Sequence, residues 1–434
     1  MSERHKRLVL IGGAACLVFL IAIELEALHL HIGGPTAALL HDTFFGPKRG
    51  RVLWAAAALS LVGLPRRQVL TWVGIGAGID LAFFVGRLLA GTRLTFGNGA
   101  LFLMAGLAVH TWTTTEGERR FDALRGVTLG FLLIMASHIG DTWLQITSHT
   151  RPRVLDEYVQ TSDHALGNPS WWMGQLVEAG GPVVHWLLST VYIDLPVGAL
   201  VVAVYQLRKG WPTHHLIRTF LLIGLVGPLF YLLFPVVGPV YAFGSLGKGF
   251  EVANIWPHLP RIDLAPGSIA FDTITPRNCM PSLHTAWVVA IFVHSRSGSR
   301  WLRAFGTFWM VCTLSATLGF GYHYGVDLLA GVVFSLTIEA MLRDPERGWG
   351  WFRWRLVLGG SGSLAVLLTA YRYLAVPLAE EPAVGAFVLL SLMGSMVLAF
   401  YATFFARPGT ALADWGQREP GTAARTSGAT PLGA

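Results

Sequence analysis

The sequence predicts an all-α, polytopic membrane protein with about twelve transmembrane helices. Three observations carry this. Of the 434 residues, 53% are hydrophobic. Only 13% are charged, where a soluble domain carries about 25%. The apolar residues gather in long runs, many near the ~20 residues that a bilayer-crossing helix needs. The net charge of +7 is therefore not a nucleic-acid signature. Its meaning lies in where Lys and Arg sit along the chain.

The runs span 8–28, 51–64, 69–90, 98–113, 126–147, 183–207, 216–237, 282–295, 304–321, 325–342, 354–376 and 384–406. The 51–64 run is the shortest of the early ones and a candidate re-entrant segment. Before the first run, Glu3 to Arg7 resembles the basic region of a signal peptide. No small-residue cleavage site follows as far as Leu28, so the run reads as an uncleaved first span.

Orientation follows from the basic loops. Arg66 and Arg67, then Arg119, Arg120 and Arg125, then Arg208, Lys209 and Arg218 fall on one side. Arg296, Arg300 and Arg303 join them, with Arg343, Arg347, Arg353 and Arg355. The positive-inside rule makes that side cytoplasmic, and both termini share it. Lys48, Arg49 and Arg51 are the exception, on the opposite side. The expected protein is thus a multi-pass protein of the cell membrane. Its 148–182 loop, 238–281 loop and 319–324 turn face away from the cytoplasm.

Residues 148–182 are too polar to span. Pro152, Gly167, Asn168 and Pro169 punctuate short helical stretches, and Trp171 and Trp172 suit a membrane interface. This segment is expected along the outer surface. The tail from Arg407, rich in Gly, Ala, Thr and Pro, reads as disordered.

Polar residues inside the runs need reasons. Asp80 and Arg87 lie seven apart on one helix face, and a mutually neutralising pair is favoured over an ion path. His138 and Asp141 lie near the outer end of their span. Packing is favoured there over contact with an acceptor headgroup. Of the three cysteines, Cys16, Cys279 and Cys312, none shows metal or disulfide spacing. Cys279 lies beside a polar block and reads as small filler before it reads as a reactive thiol.

Two polar blocks carry chemistry. The first runs from Pro276 through Arg277, Asn278, Cys279, Met280, Pro281, Ser282 and Leu283 to His284. Pro281 ends an extended stretch and Ser282 is placed to cap the next helix. His284 then falls in the first turn, where free N–H groups attract a phosphate. A histidine there can protonate a leaving oxygen. The second block is Gly319 to Asp327, with Tyr322, His323 and Tyr324 at its centre. His323 and Asp327 are four apart on one helix face. A carboxylate beside an imidazole fixes its tautomer and leaves the other nitrogen as base or nucleophile. Two histidines and an aspartate at helix starts suit phosphoryl transfer. Ordinary interfacial hydrogen bonding is the bland alternative. At this point a metal site or a transporter's proton relay also stays open, although no HExxH-type motif occurs.

Pro281-Ser282-Leu283-His284 and His323-Tyr324-x-x-Asp327 resemble the second and third signature motifs of the type-2 phosphatidic acid phosphatase superfamily. The Leu in the first and the His-Tyr-x-x-Asp form look more like its inositolphosphotransferase branch, which holds the inositol phosphorylceramide synthases. Phe234 to Pro239 and, more weakly, Leu155 to Gly167 are similar to that branch too. The resemblance covers roughly 120–345 and implies a six-helix catalytic core. Residues 1–119 then hold additional N-terminal helices, 346–406 two more, and 407–434 the tail.

The resemblance implies that His323 is the nucleophile forming a phosphohistidine, that Asp327 orients it, and that His284 is acid and then base. It implies no cofactor and no metal. The substrate would be a membrane phospholipid or lipid phosphate, the acceptor water, a polyol or a lipid. The superfamily's Lys-x6-Arg-Pro motif is absent, and Thr317 stands where an Arg precedes the nucleophilic His. Arg277, Arg261 and Lys248 are the candidates to neutralise phosphate instead, Arg277 first because it adjoins the block. Ser282, Tyr322 and Tyr324 are the other candidate substrate-binding residues. The expected function is lipid phosphotransfer or phosphatase chemistry on the extracytoplasmic face, with a membrane transporter as the rival class.

Overall fold

The computed structural model describes residues 3–244, 262–272 and 275–417. Every predicted apolar run becomes helix. The N-terminal part forms α1 (Glu3–His29), α2 (Pro35–Phe44), α3 (Gly50–Ser60), α4 (Arg66–Leu89) and α5 (Asn98–Thr114). The long α6 (Gly117–Thr150) follows. Then come α7 (Asp156–Asp163), α8 (Pro169–Ala179), α9 (Gly181–Ile193), α10 (Leu195–Arg208), α11 (Leu216–Leu233) and the short α12 (Pro239–Ala242). The second half is α13 (Leu283–Ser295), α14 (Arg300–Gly319), α15 (Gly325–Leu342), α16 (Trp351–Tyr373), α17 (Ala375–Glu380), α18 (Pro382–Phe404) and α19 (Ala411–Gln417). The described strands, β1 (Arg153–Val154) and β2 (Gly267–Ser268), pair antiparallel.

Among the described residues six helices, α1, α4, α6, α11, α15 and α18, are each long and apolar enough to cross a membrane, and the pair α9–α10, bent by 58°, makes a seventh. The other predicted spans are present but differ in physical character. α3 and α13 are short, at 11 and 13 residues. α16 carries Arg353, Arg355 and Arg372.

α15 is the central helix: 78% of its apolar window is buried, against 6% for α4. A helix apolar on every side belongs inside. α13, α11, α16 and α18 surround it, with α7 against its start. Gly331 lets α13 come close, since a Cβ there would sit 2.6 Å from the Ser282 carbonyl oxygen. The C-terminal helices are part of this body. The Tyr371 hydroxyl donates to the Val326 carbonyl at 3.2 Å. Buried Arg353 donates to the carbonyls of Met341, Arg343 and Asp344, closing the C-terminal end of α15.

Three expectations need correction. Residues 148–182 do not simply lie along a surface: α7 is buried, with Asp156, Gln160, Thr161, Ser162 and Asp163 at 2% exposure or less. Asp156 and Asp163 are tolerated there because they accept from backbone N–H groups of other loops, while Gln160 and Ser162 bond within their own segment. Asp80 and Arg87 do not pair. Asp80 accepts from the Trp54 indole at 2.8 Å and from the N–H groups of Gly97 and Gly99 at 2.9 and 2.8 Å. Arg87 donates to the Thr95 carbonyl at 2.8 Å and to Asn98 Oδ1 at 2.7 Å. Each hydrogen-bonds loop backbone instead. In the tail, α19 is helical and packed on α18, with Arg355 donating to the Gly416 carbonyl at 2.8 Å. Residues 418–434 lie outside the described residues.

Candidate active site

Both polar blocks sit at one end of the bundle, and three loops meet there. Leu155 N–H donates to the Pro235 carbonyl at 2.8 Å, Cys279 N–H to Val236 at 3.0 Å and Val240 N–H to Gly321 at 2.9 Å. Gly238 adopts φ +96°, and a Cβ there would lie 2.3 Å from the Tyr322 carbonyl oxygen. Only glycine lets these loops approach so closely.

Ser282 caps α13 as its sequence position predicts: its Oγ accepts from the Thr285 N–H at 3.3 Å. It is fully buried, and its own N–H donates to the Asp327 carbonyl at 3.3 Å, joining the starts of α13 and α15. His284 follows in the first turn, half-buried. Its ring centroid is 6.4 Å from that of His323, edge to face. The two histidines, 39 residues apart in sequence, therefore face a common space.

His323 is 3% exposed. Its Nδ1 lies 3.3 Å from Asp327 Oδ2 and 3.2 Å from Cys279 Sγ. Asp327 Oδ2 also accepts from the Tyr324 N–H at 2.8 Å and from the Cys279 thiol at 3.0 Å. With Nδ1–H directed at the carboxylate, Nε2 keeps the lone pair. Burial pulls the His323 pKa down to about 3, against a smaller opposing effect from Cys279. The ring is thus neutral at physiological pH. Its carbonyl accepts from the Ser170 hydroxyl at 2.6 Å, and its N–H donates to the Thr317 carbonyl at 3.2 Å.

His284 has a partner that the sequence did not disclose. Tyr192, near the end of α9, stacks on it at 4.1 Å with its hydroxyl 3.1 Å from Nδ1. The Tyr192 hydroxyl can donate to Nδ1 of the neutral ring or accept from Nδ1–H of the imidazolium, so it serves His284 in both protonation states. Tyr322 is half-buried and lies 5.3 Å from the Tyr192 ring, so it borders the same space.

Two candidate substrate contacts are placed differently from expectation. Arg277 is fully buried, and its guanidinium donates to the carbonyls of Arg151, Thr275, Ile269 and Ala270 at 3.3, 2.6, 2.7 and 3.4 Å. Its charge organises the loop backbone. Tyr324 is also fully buried, with its hydroxyl donating to Asp156 Oδ1 at 2.9 Å. Arg261 and Lys248 lie outside the described residues.

α7 supplies two groups, in the stretch weakly similar to the branch, to which the sequence reading gave no role. Asp156 accepts from the N–H of Val237 at 3.1 Å and of Gly238 at 2.9 Å. Asp163 accepts from the Val326 N–H at 3.0 Å, at the start of α15. Burial raises their pKa values to about 7 and about 8, against the lowering effect of those hydrogen bonds.

Two groups of side chains have donor atoms close enough for a metal ion. Cys279, His323 and Asp327 form one; His214, His294 and Glu339 form the other. In the first, burial pushes the Cys279 thiol well above its usual range, and a metal needs the thiolate. In the second, Arg343 and Thr219 already donate to Glu339, at 3.0 and 2.7 Å. In both sets the facing donor atoms already share hydrogen bonds, while Asp327 Oδ1 and His214 Nδ1 have no partner among the described residues.

The site therefore offers a neutral imidazole with a free Nε2, held by a carboxylate, facing a second imidazole held by a tyrosine. Residues 8–146 match a domain of unknown function (DUF5933). No curated protein and no solved structure matches the chain. Residues 157–341, which run from α7 through α15 and include both polar blocks, match the PAP2 superfamily. This similarity supports the type-2 phosphatidic acid phosphatase superfamily for that stretch, and with it a membrane lipid phosphatase or phosphotransferase type of function.

Proposed function

We propose that the protein transfers the phospho-headgroup of a membrane lipid through a phosphohistidine on His323, with a polyol or lipid hydroxyl as acceptor. The observation that carries this reading is the facing pair of histidines, 6.4 Å apart, each fixed by its own partner. The inositolphosphotransferase-like form of the two motifs supports transfer over hydrolysis. The basic loops support a cytoplasmic location for the termini and an extracytoplasmic site. The catalytic core is taken as 120–345, with additional helices in 1–119 and 346–406.

In the first step His323 Nε2 attacks phosphorus. The bond to the leaving oxygen breaks, and that oxygen takes the Nε2 proton of His284 in its imidazolium form, leaving a neutral ring. Asp327 stabilises the positive charge that develops on the His323 ring. In the second step the acceptor hydroxyl gives its proton to His284 and attacks phosphorus. The P–N bond breaks and its electrons return to His323. Water as acceptor makes the same machinery a phosphatase. Backbone N–H groups at the start of α13 offer the phosphate a complementary dipole.

The test is mass spectrometry of lipids after incubating the purified protein with mixed phospholipids, with and without polyols. A product with a new headgroup, missing in His323→Ala, is expected. Free phosphate with dephosphorylated lipid would make it a phosphatase. No lipid change, with transport of substrate instead, would overturn the reading.

A further inference from the structure

A cavity of about 330 Å³ lies between α2, α3 and α6, outside the stretch that matches the superfamily. Asp42, Lys48, Arg49, Ser137, His138 and Asp141 line it. His138 is 8% exposed, and its Nε2 is buried with no hydrogen-bond partner among the described residues. The nearest carboxylate oxygen, on Asp42, is 3.9 Å away. Asp42 is itself 5% exposed. Arg49 bridges the wall, donating to Asp141 Oδ1 at 2.7 Å and to Ser137 Oγ at 3.1 Å.

The cavity's chemistry selects among ligands. Two carboxylates stand against one guanidinium and one ammonium, so the formal charges cancel. A phosphate would meet Asp42 and Asp141; a cation would meet Arg49 and Lys48. A hydroxyl group both donates and accepts, so it can serve carboxylate, imidazole and guanidinium alike. It would also give His138 Nε2 the partner that a buried polar atom otherwise lacks at a cost. The volume is near the lower end of small-molecule sites, about 300–1,000 Å³. It suits one ring-sized group rather than an acyl chain.

The basic loop beside the cavity also reaches the stretch that matches the superfamily. The Arg49 charge is close enough to act on the His284 imidazole. Arg51, two residues on, donates to both carboxylate oxygens of Asp194 at 2.8 Å. Asp194 marks the bend after α9, the helix that carries Tyr192.

We propose that this cavity binds a neutral polyhydroxylated group, a polyol or a sugar, either free or as the headgroup of a lipid. In the phosphotransfer reading, on which that role rests, it holds the second substrate. Binding itself is independent of turnover.

Calorimetry on the purified full chain reads free ligands, with myo-inositol, glycerol and mannose as probes and inorganic phosphate as the anion control. Thermal unfolding in nanodiscs, with and without phosphatidylinositol or a glycolipid, reads lipid-borne groups. Saturable binding of a polyol or sugar is expected, weakened about tenfold by Asp42→Asn. Ala38→Trp, which fills the cavity from a partly exposed position, should abolish it. His323→Ala should bind as the wild type does while losing turnover. A response only to the lipid-borne group identifies a headgroup. Phosphate binding without polyol binding overturns the proposal, as does unchanged binding in Ala38→Trp. Phosphotransfer without polyol binding removes the cavity's role and leaves the reaction standing. Polyol binding without phosphotransfer does the reverse.

Discussion

The proposed mechanism needs a free lone pair on His323 Nε2, and burial supplies it by holding the ring's pKa at about 3. A base with a depressed pKa stays neutral until the pH falls to that value. Turnover should therefore not decline through a group titrating near 6.5 as the pH drops from about 7 to about 5; a pH–rate profile for single turnover checks this. His323→Ala should abolish turnover, and His284→Ala should lower it by about 10²–10⁴, the usual contribution of a general acid. Tyr192→Phe leaves the stacked ring but removes the hydroxyl at His284 Nδ1. It should lower kcat with little change in KM and shift the basic limb of the profile. At this scale the sequence was legible where partners are neighbours: His323 with Asp327, Ser282 with Thr285. Tyr192 and His284 are 92 residues apart, and no local pattern pairs them. Arg277 was misread for a related reason. An arginine beside a motif resembles a phosphate ligand until the carbonyls around it are known.

At the scale of elements, α7 is the buried strut under the reactive loops. Asp156 and Asp163 hold pKa values raised to about 7 and about 8, above the ordinary value near 3.9. Between the ordinary and the raised values the folded chain keeps a proton that the unfolded chain has lost. Their contribution to stability is thus complete below about pH 4 and lost as the pH rises through 7 to 8. Asp163→Asn should flatten the fall in stability across that window by up to about 1.4 kcal/mol per pH unit, read from unfolding at stepped pH. Tyr324→Phe removes a donor to a buried carboxyl and should cost about 1–3 kcal/mol, while leaving His323 chemistry in place. The helical stretches of this segment were legible from its proline and glycine punctuation. Its burial was not, because its two aspartates are satisfied by partners 81 to 168 residues away.

At the scale of the whole molecule, hydropathy made the fold class plain and every apolar run became helix. Length and composition alone support six or seven spans rather than twelve, because short and arginine-bearing helices need protein around them to sit in a bilayer. Treatment with EDTA should leave turnover unchanged, measured with and without added divalent ions, because the proposed mechanism routes no step through a metal. The N-terminal helices carry the basic residues that broke the charge rule, and these lie beside the core. Arg51 reaches Asp194, and Arg49 reaches His284 by charge.

Glu339 gives the assembly a fulcrum. It lies within hydrogen-bond reach of His214 and His294, at 2.9 and 3.1 Å, and accepts from Thr219 and Arg343. It thereby ties α11, α13 and α15 together at the end away from the reactive histidines. His294 is ten residues, or about 15 Å of helix, from His284. A tilt of about 4° at that fulcrum would swing His284 by about 1 Å, and a displacement of this size can cost about 10²-fold in rate. Leverage of this kind makes Glu339→Gln a distant control on kcat: turnover should drop while lipid binding and the helical content stay as they are.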